Sequence, residues 1–245
     1  MRIVHTFGLI GLIGQAALLA ALAASGGMTG AGWLVGLASG VAINGLLTRA
    51  LARAGTEALG PANRVTLTRA LLVGGVAALV ADSFARPARV GELVGLAVVA
   101  LVLDAVDGRV ARHTRTESMV GARFDMEVDA LLILILSVYV ARSLGPWVLA
   151  IGGARYLLGI AGWALPWLRR PVPPRYWRKV VAAIQGISLT TVAASMVSPL
   201  AADAVLVMAM ALLAESFGRD VWWLSRRRTD VPDGVGPLPR RLVHG

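Results

Sequence analysis

Long apolar runs separated by short polar or basic stretches set the pattern of this chain. Apolar segments at roughly 7–25, 29–51, 65–82, 90–111, 119–141, 146–168, 179–198 and 200–224 each reach about 18 residues or more, the length that crosses a bilayer as a helix. Continuous alternation of period two is absent, which argues against a membrane barrel. The pattern predicts an all-α, polytopic membrane helical bundle. "RRPVPPRYW" (169–177) is a proline-broken linker, because proline cannot continue a helix interior. The Pro/Gly-rich stretch from Thr229 predicts a poorly ordered tail. No internal repeat of clear period supports an inverted-repeat transporter.

Composition agrees with this reading. Of the 245 residues, 57% are hydrophobic and only 16% charged, against about 25% charged in an ordinary soluble domain. The net charge of +10 is almost wholly arginine, Lys179 being the single lysine. These arginines sit mostly between apolar runs without interleaved aromatics, so they predict loop charge and headgroup contact rather than nucleic-acid binding. The basic regions 49–64, 109–118, 169–179 and the tail place both termini and all four regions in the cytoplasm by the positive-inside rule. Localisation in the cell membrane follows. Cysteine is absent, which excludes disulfides and thiolate metal sites. The first segment, with Arg2 and the small-residue end "ALAAS", also fits a cleavable signal peptide. Cleavage after Ala23 or Ala24 would leave the topology of the remaining spans unchanged.

Four carboxylates interrupt the pattern where charge is costly. Asp104 and Asp107 share one face near the cytoplasmic end of the fourth predicted helix, and Asp125 and Asp129 share one near the start of the fifth. A short connection makes the two helices antiparallel neighbours, so the pairs converge at similar depth. Four such carboxylates repel one another and stay ionised only around cations. Oxygen ligands without His or Cys favour Mg2+ or Mn2+. Two ions suit four carboxylates, and a metal pair serves phosphoryl transfer by neutralising attacking and leaving oxygens. Gly108, Ala111 and Gly121 leave room for a nucleotide to approach the helix backbones, although small residues also serve tight helix packing. Arg112 can grip a phosphate in bidentate fashion.

"DAVDGRVARHTRTESMVGARFDMEVD" (104–129) resembles the signature of the CDP-alcohol phosphotransferase (CDP-alcohol phosphatidyltransferase) family, class I, D-x2-D-G-x2-A-R-x8-G-x3-D-x3-D. Asp104, Asp107, Gly108, Ala111, Arg112, Gly121, Asp125 and Asp129 meet every fixed position. The resemblance implies a six-helix core, placed at 56–228, preceded by two extra N-terminal spans (1–55) and followed by the cytoplasmic tail (229–245). It implies transfer of a phosphatidyl group from CDP-diacylglycerol to a small alcohol or polyol phosphate, with release of CMP. Asp104, Asp107 and Asp125 resemble metal ligands. Asp129 resembles the ligand that also takes the acceptor's proton, and Gly108, Ala111, Arg112 and Gly121 resemble the lining of the cytidine-diphosphate site. "GPANRVTLTR" resembles the family's first core helix, which assigns Asn63, Thr66 and Arg69 to the nucleotide. A capping Asn63 and a snorkelling Arg69 are the structural alternative. Arg155 and Lys179 are expected at an anionic acceptor such as inositol phosphate or glycerol phosphate. Arg155-Tyr156 departs from the Arg-Glu of some relatives that use glycerol phosphate. The resemblance also implies a homodimer. Two alternatives stay open: a soluble CDP-alcohol donor with a lipid acceptor, and a divalent-cation transporter, which would not explain the spaced glycines and arginine.

Overall fold

The computed structural model describes residues 2–54, 61–114, 119–169, 172 and 176–226. Within these stretches the side chains of residues 2–7, 47, 50–54, 61–64, 107–114, 119, 120, 122, 123 and 169 stand outside the description. Eight α-helices carry the described chain, with no strand among its residues: α1 (Arg2–Gly26), α2 (Gly30–Ala54), α3 (Pro61–Asp82), α4 (Val90–Thr114), α5 (Met119–Leu144), α6 (Leu149–Ala164), α7 (Tyr176–Ala193) and α8 (Pro199–Arg226). The all-α bundle expected from the apolar runs is therefore the observed fold. The predicted tail from 229 lies outside the described residues.

Helix ends are set by local chemistry. Gly27, at φ 74°, turns the chain after α1, a left-handed conformation that costs glycine little. Thr29 then caps α2: its hydroxyl accepts a bond from the Gly32 N–H at 3.2 Å, as a favourable N-cap does. Pro166 is preceded by Leu165 at φ −123°, ψ 87°, because proline disfavours helical geometry in the residue before it. The expected span 146–168 is consequently a short 3-10 turn (Pro146–Val148), α6, and a second 3-10 turn (Pro166–Arg169). The seventh helix lies nearer the N-terminus than the expected 179–198. It ends at Ala193, followed by Ser195 at φ 55°, and Pro199 opens α8 where its missing N–H is harmless.

Packing makes α3 and α5 the inner helices. α3 lies against α1, α2, α4 and α5, while α5 also meets α6 and α7. Leu67, Val73, Val76, Leu93, Ala97, Val128, Leu132, Leu136, Leu189 and Leu206 form one continuous buried core. At Gly152 of α6 the backbone approaches α5 so closely that an added Cβ would lie 2.5 Å from the Leu134 Cα. The α1–α2 hairpin is fastened at the end remote from Asp104. Arg86 Nη2 donates to the Gly26 carbonyl at 2.9 Å, an acceptor that the end of α1 leaves open, and Arg89 Nη1 donates to the Leu22 carbonyl at 2.6 Å, which also accepts the Ser25 hydroxyl. Asp82 at the end of α3 accepts the Thr29 N–H at 2.7 Å.

Outward faces are apolar: Leu9, Ile13, Leu34, Val41, Leu157, Ile160, Val207 and Met208 are exposed. Surfaces of this kind suit lipid and would be an association hazard in water. Among the described residues, four helices hold stretches long and apolar enough to cross a membrane: Gly8–Gly26, Val65–Asp82, Pro146–Ala164 and Pro199–Arg226. A shorter apolar run occupies Gly30–Leu46. The eight predicted runs are thus eight helices, four of which meet the apolar criterion. α5 carries Asp125, Glu127, Asp129 and Arg142, which lower its hydropathy.

Candidate active site and metal centre

Packing of α4 antiparallel to α3 and α5 brings three polar turns to one level. Asp104 lies ten residues before the end of α4, Asp129 ten residues after the start of α5, and Arg69 eight residues into α3. At 1.5 Å per residue these positions are about 15, 15 and 12 Å from their helix ends. Equal depth lets the side chains meet although they are far apart in sequence.

One oxygen each of Asp104, Asp125 and Asp129 lies within 4.8 Å of the other two. The expected convergence of the two helical faces is therefore present for these three. Asp107, Gly108, Ala111 and Arg112 fall on the last turns of α4, and Asn63 on the first turn of α3, but their side chains lie outside the described residues. Gly121 is half-buried, one turn before Asp125.

The guanidinium of Arg69 occupies the centre of the triad. Its Nη1 meets Asp104 at 2.9 Å and also donates to Asp125, while Nη2 donates to Asp129. Arg69 is 1% exposed, whereas the carboxylate side chains keep between 28% and 37% of their surface open. The arginine thus closes the inner side of the cluster and the aspartates border its accessible side. Burial of a guanidinium is tolerable only with such partners. Thr66, one turn earlier on α3, is buried on the same helix.

Among the described residues, three carboxylates opposite one guanidinium leave a formal charge of −2. An all-oxygen donor set with that charge and an open side fits a hard divalent cation. Asp104, Asp125 and Asp129 are the described residues that would hold it.

Arg155 and Lys179, expected at an acceptor, lie on α6 and α7. Arg155 of α6 is ion-paired through Nη2 with Glu127 of α5, both partly exposed. Glu127 lies two residues from Asp125 and from Asp129, so helical rotation turns it away from the face they share. Sequence reasoning passed over Glu127. Its signal was available: it is an acidic residue within an apolar helix, off the aspartate face. Lys179 is exposed near the start of α7. Gln185 is buried and donates through Nε2 to the Ala209 carbonyl of α8 at 2.7 Å. That bond joins α7 to α8, as do Arg178–Asp220 at 2.8 Å and Trp177 Nε1 donating to Glu215 at 2.9 Å. Glu215 is also paired with Arg219 one turn further along α8.

An all-helical, lipid-faced bundle with an acidic, cation-competent cluster between its inner helices defines a membrane protein built around an ionic site. The chain belongs to the CDP-alcohol phosphatidyltransferase family, whose family model matches residues 60–224, about two thirds of the sequence. No curated protein and no solved structure matches it. Membership suggests a transferase that takes a phosphatidyl group from a CDP-alcohol.

Proposed function

We propose that the protein is a metal-dependent membrane transferase that moves a phosphatidyl group from CDP-diacylglycerol to the hydroxyl of a small alcohol or polyol phosphate. The convergence of Asp104, Asp125 and Asp129 within 4.8 Å, inside the stretch matched by the family, is the observation that carries this reading. In the proposed reaction the acceptor oxygen attacks the phosphorus that bears the diacylglycerol. The bond from that phosphorus to the bridging oxygen breaks, and CMP leaves with the electron pair. Asp129 takes the proton of the attacking hydroxyl, a role that needs a carboxylate within hydrogen-bond reach. Mg2+ or Mn2+, held by Asp104, Asp107, Asp125 and Asp129 as one or two ions, would neutralise charge on the phosphate oxygens. Gly108, Ala111, Arg112, Gly121, Asn63 and Thr66 line the CDP moiety in this reading.

Arg155 and Lys179 are proposed to meet an anionic acceptor. A phosphate at Arg155 competes with Glu127, whereas an uncharged polyol leaves their pair intact. The proposed setting is the cell membrane, with the acidic site and both termini on the cytoplasmic side and the chain acting as a homodimer. Residues 56–228 are taken as the transferase core, 1–55 as an added hairpin and 229–245 as a cytoplasmic tail. Purified protein incubated with CDP-diacylglycerol, Mn2+ or Mg2+ and a panel of alcohols tests the proposal by lipid mass spectrometry. The expected result is CMP together with one new phospholipid class. CMP released only from a soluble CDP-alcohol with a lipid acceptor would reverse donor and acceptor. Metal flux into proteoliposomes without CMP would overturn the enzyme reading.

A further inference from the structure

Burying an arginine at the heart of an acidic cluster is costly, so its placement demands a reason. Arg69 is 1% exposed and its two terminal nitrogens reach carboxylates on two other helices: Asp104 of α4, and Asp125 and Asp129 of α5. The carboxylate oxygens it contacts belong to the same three residues that can gather around a cation. We infer that Arg69 is a resident counter-cation: it holds the triad together without metal, and its charge weakens the triad's grip on divalent ions. This rests on the metal reading of the triad and reassigns Arg69 from the nucleotide to the aspartates.

Two consequences separate this role from ordinary packing. First, the three carboxylates should stay assembled without metal, because one guanidinium bridges three helices and offsets part of their mutual repulsion. Second, Arg69 and a divalent ion repel one another at a few ångströms, so removing the arginine strengthens cation binding while weakening the metal-free fold. A merely structural arginine would lower stability with and without metal alike.

The test uses the full chain in detergent or nanodiscs, with Mn2+ as the probe. Free Mn2+ is followed by electron paramagnetic resonance and melting by intrinsic fluorescence. Arg69→Gln is expected to bind Mn2+ about tenfold more tightly than the wild type. It is expected to melt about 5 °C or more lower in EDTA, with saturating Mn2+ closing most of that gap. Arg69→Lys keeps the charge and should hold Mn2+ within about threefold of the wild type. If Arg69→Gln does not fold in EDTA, the double variant Arg69→Gln/Asp125→Asn carries the question. It removes one negative charge to match the lost positive one and should regain metal-free stability. Equal Mn2+ affinity in Arg69→Gln and wild type would overturn the inference, as would a double variant no more stable in EDTA than the single one. Wild-type protein that binds no Mn2+ would sink the metal reading alone. Recovery by the double variant in EDTA would still decide whether Arg69 is the counter-cation.

Discussion

Asp129→Asn separates the chemistry of the site from its architecture. Asparagine keeps the volume of the side chain and an oxygen that can accept from Arg69 Nη2, the atom that meets Asp129. What changes is charge and basicity. The substitution removes one negative charge from the cluster, so the site attracts a divalent cation less. It also loses the group assigned to take the acceptor's proton. Losing a general base costs about 10²- to 10⁴-fold in rate, equivalent to roughly 3–5.5 kcal/mol of barrier. Stability should change little. The charge-assisted bond to Arg69 weakens by about 1 kcal/mol, and relief of repulsion from Asp104 and Asp125 offsets part of that. The expected result is CMP release reduced at least about 100-fold, with a melting temperature within about 4 °C of wild type. The assay is chromatographic CMP release at saturating CDP-diacylglycerol and Mn2+, with melting recorded in the same buffer. Turnover within tenfold of wild type would refute Asp129 as the base. A collapsed melting temperature would show instead that its bond to Arg69 is mainly structural.

Three other outcomes follow from the same geometry. Treatment with EDTA should abolish CMP release and added Mn2+ or Mg2+ should restore it; full activity after exhaustive chelation would contradict the metal reading. Glu127→Gln should leave stability within about 0.5 kcal/mol, because the Arg155 pair is substantially exposed on both sides. The same variant should lower KM for a phosphate-bearing acceptor and not for an uncharged polyol, and an unchanged KM for both would remove Arg155 from the acceptor site. Gly152→Leu should lower the melting temperature by several degrees, since its Cβ would meet Leu134 Cα at 2.5 Å and Ser137 Oγ at 2.9 Å, and overpacking costs about 1–3 kcal/mol. Gly153→Ala, with nothing within 4 Å of the added Cβ, is the control and should melt near wild type; equal losses in both variants would refute the close α5–α6 approach.

The Arg69 arrangement also explains how an acidic cluster can survive deep in an apolar bundle before any cation arrives. Leu67 and Ala70 flank Arg69 on α3 and are buried with it, so the guanidinium is delivered from the packed interior and not from solvent. The carboxylates meet it with their open sides turned outward. One set of side chains can therefore stabilise the bundle and offer a cation site.

Helices, their approximate limits and the alignment of Asp104 with Asp107 and of Asp125 with Asp129 follow from local rules. A period of 3.6 residues, apolar run length and the positions of proline act over a few residues, and they need no knowledge of the partner helix. That is why the eight elements and the face shared by Asp125 and Asp129 could be read along the chain. The end of α7 shifted because an apolar run continues past the point where Ser195 turns left-handed, and apolarity alone does not register a turn. Pairing across helices is a different matter. Arg69 lies 56 and 60 residues from Asp125 and Asp129, and its sequence context suits a snorkelling or nucleotide-binding arginine equally well. Glu127 and Arg155, 28 residues apart, likewise carry no local mark of being partners. Long side chains sweep several ångströms around a helix, so their partners depend on which helices pack together and at what relative height. The bundle turned the arginine inward onto the aspartates and set Arg155 against Glu127, because only packed helices bring distant residues to one depth.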